Sequence, residues 1–222
     1  MEIIDQAVKE GRSALSEHES KRVLAAYDIP VTREKLVTDI KDLGQALREI
    51  GYPLVIKGCS PEATHKTEKG LIRIGLRNEQ EALLAYQEIT TAMAEGDTAV
   101  LVQEMIHGQR ELVIGMTRDP QFGPCVMFGL GGIFTEILED VSFRVAPVEK
   151  PEALAMMQEI KGRRILGAIR GMEPANLDRL ADMVITVGQI GLDHESVKEI
   201  DMNPVILCKG EPVAVDALVV LG

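Results

Sequence analysis

Near the end of the chain, EIDMNPVILCKGEPVAVDALVVL holds two β-branched, apolar runs on either side of Lys209–Gly210. A two-residue turn at that point constrains the fold more than any other stretch, because it sets the register of everything that follows. It predicts Cys208 opposite Glu211 and Asn203 opposite Asp216, with the last two side chains on one face roughly 5 Å apart. Asp201, two residues before Asn203, shares that face. Two carboxylates and an amide oxygen are hard ligands of the kind Mg²⁺ takes together with waters and substrate phosphates. A merely solvated polar face is the plainer alternative, and Val205, Leu207 and Val213 weigh against it by giving the hairpin a second face to bury.

A metal of this kind calls for an anion, and one stretch is suited to receive it. KGCSPEATHKTEKGLIRIGLR, residues 57–77, carries Lys57, Lys66, Lys69, Arg73 and Arg77 against only Glu62 and Glu68, in a chain whose net charge is -11. Its punctuation by Gly58, Pro61 and Gly70 predicts a loop between a strand ending at Lys57 and a strand starting at Leu71, with His65 at its middle. Alone, such a stretch is as well explained as a solvated surface loop.

Composition limits the remaining classes. The chain has 222 residues, 45% of them hydrophobic, enough for one large domain or two packed lobes. A pI near 4.9, no Trp and 3% aromatics argue against nucleic acid, which favours a basic face and stacking rings. No run of about 18 apolar residues and no secretory layout at MEIIDQAVKEGR is present, so a cytoplasmic protein without a membrane span is expected. Cys59, Cys125 and Cys208 are odd in number and lack metal spacing, consistent with a reducing compartment and core positions.

Taken in order, residues 3–14 predict a short helix, and Ser16 with Glu19 the capping-box start of a second that runs to about Tyr27 and stops at Pro30. A strand VTREKLV, a helix from about Asp39 to Glu49, the strand LVIK and the basic loop follow. Asn78 with Glu81 caps a helix whose stripe is Ala82, Tyr86, Ile89 and Met93. From Thr98 on, TAVLVQEM, RELVIGMTRD and GPCVMFGLGG predict strands of an antiparallel sheet, joined by turns at His107–Gly108 and Asp119–Pro120. SFRVAP is a further strand, residues 151–169 a helical segment, and Pro174 the first turn of a last helix with Leu177, Leu180, Val184 and Val187 inward. The division falls at about Gln103. Residues 1–102 then form a helical segment and a first lobe with the basic loop, and residues 103–222 a second lobe with the sheet and hairpin.

Glu104 and Glu111 stand among apolar neighbours, where a carboxylate needs a donor; ligand hydroxyls, an amine or a nearby Arg110 would serve. Gly129 to Gly132 could form an anion-binding nest or only a tight turn. Arg144 on SFRVAP is an ordinary strand arginine unless something anionic lies beside it.

Together, VIKGCSPEATHKTEKG, LVQEMIHGQRELVIGM, FGLGGIFTEILEDVSFRVAP, EIDMNPV and GEPVAVDA resemble the ATP-grasp part of the NDP-forming acyl-CoA synthetases, close to their separate β subunits. SEHESKRVLAAYDIPV extends the resemblance back to about residue 16. It implies the α+β ATP-grasp fold, two lobes closing on a nucleotide, with ATP or ADP and Mg²⁺ as cofactors. By this resemblance Lys57 holds nucleotide phosphates, Glu104 lies near the adenine amino group with Met105 and Ile106 bordering the base, and Glu111 binds the ribose. Asn203 and Asp216 ligate Mg²⁺ with Asp201 close by, and Arg144, Gly131 and Gly132 lie by the phosphates. His65 matches the histidine that is phosphorylated and carries the phosphoryl group between partner subunit and nucleotide. After it the family commonly has Asp-Val-Gly-Gly, whereas this chain has Glu68-Lys69-Gly70-Leu71.

The implied activity is interconversion of acyl-CoA, ADP and phosphate with carboxylate, CoA and ATP, in a hetero-oligomer with a CoA-binding α subunit supplied as another chain. A nucleotide-binding regulatory module and a carboxylate-amine ligase are the alternatives. The second would leave His65 without a task.

Overall fold

The computed structural model describes residues 1–59, 70–93, 99–132, 140–169 and 171–222. The chain divides into two compact units: one of Ser16–His18 and Thr32–Met105, the other of Met1–Leu15, Glu19–Val31 and Ile106–Gly222.

The smaller unit is a four-stranded antiparallel sheet in the order β1-β4-β2-β3, formed by β1 (Glu34–Val37), β2 (Leu54–Gly58), β3 (Ile72–Leu76) and β4 (Val100–Glu104). Helices α3 (Ile40–Ile50) and α4 (Glu79–Ala92) pack on it. Asp39 caps the first by accepting from the Lys41 amide, and Asn78 caps the second by accepting from Glu81. Their apolar stripes, including Leu43, Leu47, Ala82, Tyr86 and Ile89, meet Leu54, Ile56, Val100 and Val102 in one core.

The larger unit is a six-stranded sheet in the order β10-β8-β5-β6-β7, with β9 also on β8. Its strands are β5 (Glu111–Asp119), β6 (Gly123–Leu130), β7 (Val141–Val145), β8 (Val197–Cys208), β9 (Glu211–Ala214) and β10 (Leu218–Leu221). Helices α5 (Lys150–Glu159) and α6 (Leu177–Asp193) cover one face, where Ile114, Met116, Val126 and Phe128 meet Met156, Val184 and Val187. Helices α1 (Glu2–Lys9) and α2 (Glu17–Ala26) add Ile4, Val23 and Leu24 to the same core. Leu15 donates to the Val219 carbonyl at 2.9 Å and Ala214 to that of Pro30 at 2.9 Å, which ties the start of the chain to its end.

Four expectations are corrected here. β4 does not join β5 in a hairpin: it pairs with β1 and β2, and the chain passes from one unit to the other between Met105 and Ile106. The first 31 residues, apart from Ser16–His18, group with the second half of the chain, unlike the division into 1–102 and 103–222. The segment after Pro151 is helical only to Glu159 and continues as one 3₁₀ turn, Arg163–Leu166. Asn176, accepting from the Arg179 amide, starts α6 instead of Pro174. Cys59 is buried, whereas Cys125 and Cys208 are only half-buried. Among the described residues no helix is long and apolar enough to cross a membrane.

Candidate functional site

In the larger unit the site is built on β8 and the strand pair that follows it. Lys209 and Gly210 both take positive φ, 50° and 83°, the conformation of the tight hairpin turn expected there. Cys208 then pairs with Glu211, and the same register continues through Val205 opposite Ala214 to Asp201 opposite Leu218 and Glu199 opposite Val220. Between β9 and β10 the Val215 amide donates to the Pro204 carbonyl at 3.0 Å, so Asp216 arrives beside Asn203. The peptide between Asn203 and Pro204 is cis.

Alternation puts Glu199, Asp201 and Asn203 on the face away from α5 and α6. There a cleft of about 300 Å³ is lined by these three with Val113, Gly115, Thr117, Met127 and Phe143. Burial first, then the charges of Glu199 and Asp216, push the Asp201 carboxyl up to about 6. The donors are all hard oxygens, and like charges gathered at partial burial are relieved by a cation. Among the described residues no group of three or more His, Cys, Asp or Glu is placed to hold a metal ion by itself. Two carboxylates and an amide are hard donors of the kind Mg²⁺ takes when waters and substrate phosphates complete its shell.

The raised carboxyl has a measurable consequence. Unfolded, Asp201 titrates near the ordinary value of ~3.9, so folding is most favourable where the group is protonated in both states. Without added cation, stability is expected to fall as pH rises from about 4 through about 6, by on the order of 3 kcal/mol. Chemical denaturation at about pH 4 and about pH 7.5 captures most of this, and Asp201→Asn should remove the contribution. An unchanged pH dependence in that variant would exclude Asp201 as its source.

Gly132 connects this face to the start of β5. Its amide donates to Asn203 Oδ1 at 3.3 Å, and the Gly131 amide donates to the Glu111 carbonyl at 2.9 Å. With φ at +63°, a Cβ on Gly132 would collide with Glu111 Oε2, so the glycine allows both the turn and the approach of the carboxylate. Glu111 is exposed and is not served by Arg110. That guanidinium is buried and donates instead to the carbonyls of Ile165, Gly167 and Glu173.

Arg144 lies elsewhere. It stands opposite Val126, which stands opposite Met116, both buried beneath the helices, whereas Phe143 and Met127 belong to the row with Gly115 and Asp201. Its guanidinium pairs with Glu159 of α5, so the structure does not bring it together with the acidic face.

In the smaller unit, Lys57 is the penultimate residue of the buried strand β2 and its Nζ lies 2.8 Å from Glu17 Oε1. Glu104 ends β4, with Oε1 accepting from the Arg33 amide and Oε2 from Arg33 Nε, each at 2.8 Å. Met105 and Ile106 follow, both half-buried. His65 lies outside the described residues. Sequence reasoning missed Glu17, Arg33 and Glu199. The first two partner residues far along the chain, and only the alternation EID that places Glu199 on the face of Asp201 was available as a signal.

Residues 6–221 match the family model of the ATP-grasp domain. The chain is 44% identical to the β subunit of acetate–CoA ligase [ADP-forming] I from Pyrococcus furiosus, covering 99% of this chain and 97% of that one. It is 39% identical to acetate–CoA ligase [ADP-forming] I from Archaeoglobus fulgidus, where it covers 100% of this chain but 33% of the longer protein. Among solved structures, the acetyl-coenzyme A synthetase 1 of Ca. Korarchaeum cryptofilum, in complex with coenzyme A and Ca-AMPCP, superposes with a TM-score of 0.94 at 41% identity, over 100% of this chain and 99% of that one. In another structure of that enzyme, with coenzyme A and Mg-AMPPCP, a phosphohistidine segment points towards the nucleotide binding site. The hairpin, the glycine turn and the two α+β units thus belong to a chain of the ATP-grasp family, a β subunit of the NDP-forming acyl-CoA synthetases.

Proposed function

We propose that this chain is the nucleotide-handling subunit of an ADP-forming acyl-CoA synthetase, which interconverts acyl-CoA, ADP and phosphate with carboxylate, CoA and ATP. The observation that carries the proposal is the register of β8, which gathers Asp201, Asn203 and Asp216 at one place on the open face of the sheet. Similarity to synthetase β subunits over nearly the whole chain supports it, and that similarity is to enzymes rather than to a regulatory module.

In this proposal Asn203 and Asp216, with Asp201 beside them, hold Mg²⁺, which when bound neutralises phosphate charge. Glu111 takes the ribose hydroxyls, and the turn at Gly131 and Gly132 lies by the phosphates. Lys57 meets the phosphates, and Glu104, Met105 and Ile106 meet the base. His65 accepts the phosphoryl group through an imidazole nitrogen. A terminal oxygen of ADP then attacks phosphorus, the N–P bond breaks, and ATP leaves with the histidine neutral again.

A CoA-binding subunit, separate from this chain, supplies the acyl chemistry in a hetero-oligomer; the β-subunit relatives favour a separate partner, and the longer Archaeoglobus protein a fused one. A cytoplasmic setting belongs to the same proposal, with all three cysteines free of disulfides. The purified chain is expected to bind Mg-ADP or Mg-ATP in titration calorimetry and to make no acyl-CoA until the partner is added. Full synthetase activity from the chain alone would end this division of labour.

A further inference from the structure

We propose that Glu17 is a positioning residue for Lys57: it fixes the ammonium at the end of β2 and keeps it charged for the phosphates of a nucleoside di- or triphosphate. This rests on the phosphate-binding role proposed for Lys57 and adds to it a residue that no motif assigns.

The pair is buried to an unusual depth for two charges. Lys57 Nζ and Glu17 Oε1 are 2.8 Å apart, with side chains 3% and 1% exposed. An ammonium buried without a counter-charge is costly and tends to give up its proton, which would make it useless towards an anion. A carboxylate in contact reverses that balance.

Both partners are held in place by the backbone. Glu17 is the first residue of α2, and the short piece Ser16–His18 groups with the smaller unit while the chain on both sides of it groups with the larger. Beside Glu17, His18 Nδ1 lies 2.8 Å from Glu34 Oε1 on β1, a second tie of the same turn to the same unit. On the other partner, β2 is paired on both edges, and just beyond Lys57 the amides of Gly58 and Cys59 donate to the carbonyls of Leu71 and Ala99 at 2.9 and 2.8 Å. A lysine stem otherwise samples many rotamers, so a fixed carboxylate at its tip removes most of that freedom before a ligand arrives.

Titration calorimetry on the full chain with Mg-ADP and with adenosine tests the inference. Glu17→Gln keeps the size and an acceptor oxygen but removes the charge. It is expected to weaken Mg-ADP roughly tenfold or more while leaving adenosine unchanged. Glu17→Asp, which keeps the charge and shortens the reach, should recover part of the affinity. Wild-type Mg-ADP affinity in Glu17→Gln overturns the inference, and so does an equal loss for adenosine, the mark of a purely structural tie. If Glu17→Gln does not fold, Glu17→Asp takes its place: weaker Mg-ADP with unchanged adenosine supports the inference, and unchanged Mg-ADP overturns it. Lys57→Met examines the underlying role separately. Unaltered Mg-ADP binding in that variant would remove Lys57 from the phosphate site whatever Glu17 does.

Discussion

Replacing His65 by alanine is expected to abolish phosphoryl transfer while leaving nucleotide binding intact. With the CoA-binding partner, acyl-CoA, phosphate and Mg-ADP present, ATP formation should fall to background, a loss on the order of 10⁴-fold or more, the scale seen when a covalent nucleophile is removed. γ-Labelled ATP should mark the wild-type chain with an acid-labile, base-stable label, as expected for a phosphoramidate, and should leave His65→Ala unmarked. The affinity for Mg-ADP should stay within about twofold of wild type, because the histidine is asked to carry a group and not to hold the nucleotide. A label that persists in the variant would place the acceptor on another residue. The sequence from Glu68 to Leu71 sharpens this test, since it departs from the glycine-rich continuation common in the family.

Loss of the metal ligands should act on the opposite property. Asn203→Ala and Asp216→Ala are each expected to weaken Mg-nucleotide binding by about 100-fold, since Mg²⁺ held through so few protein oxygens has little to replace one of them. Thermal melts give the readout. At a Mg-ADP concentration about 100 times its Kd, the wild-type chain gains ~2.7 kcal/mol, whereas a variant weakened about 100-fold gains only ~0.4 kcal/mol at the same concentration. Asn203 also accepts from the Gly132 amide, so its replacement should loosen the glycine turn, while Asp216→Ala should not. If both variants are stabilised by Mg-ADP as much as wild type, the acidic face has another purpose.

The acidic face was readable from sequence because its geometry is local. One tight turn and the alternation of side chains suffice to put Asn203 near Asp216, and the strand register follows that arithmetic from Cys208 to Glu199. The helices capped by Asp39 and Asn78 were readable for the same reason. What escaped depends on pairings distant along the chain. β4 has the composition of its neighbours in sequence but pairs with β1 and β2, and alternation cannot say which sheet a strand will join. Alternation also separates Phe143 from Arg144 without saying which face the helices will cover, which is why Arg144 was expected beside phosphates and is found against Glu159. Pro174 and Asn176 are both good helix-start signals two residues apart, and the amide of Arg179 decides for Asn176. For Glu17, whose partner is 40 residues away, no local pattern existed.

The grouping of the first two helices with the second half of the chain limits how the protein can be dissected. Residues 16–18 and 32–105 make one unit, and 1–15, 19–31 and 106–222 the other, so the units are interleaved along the polypeptide. No single cut yields two intact pieces. A fragment ending at Met105 would expose Ile4, Val23 and Leu24, and one starting at Ile106 would lack the same side chains from its core. Expression of either unit alone therefore calls for rejoining the chain in a new order, not for truncation.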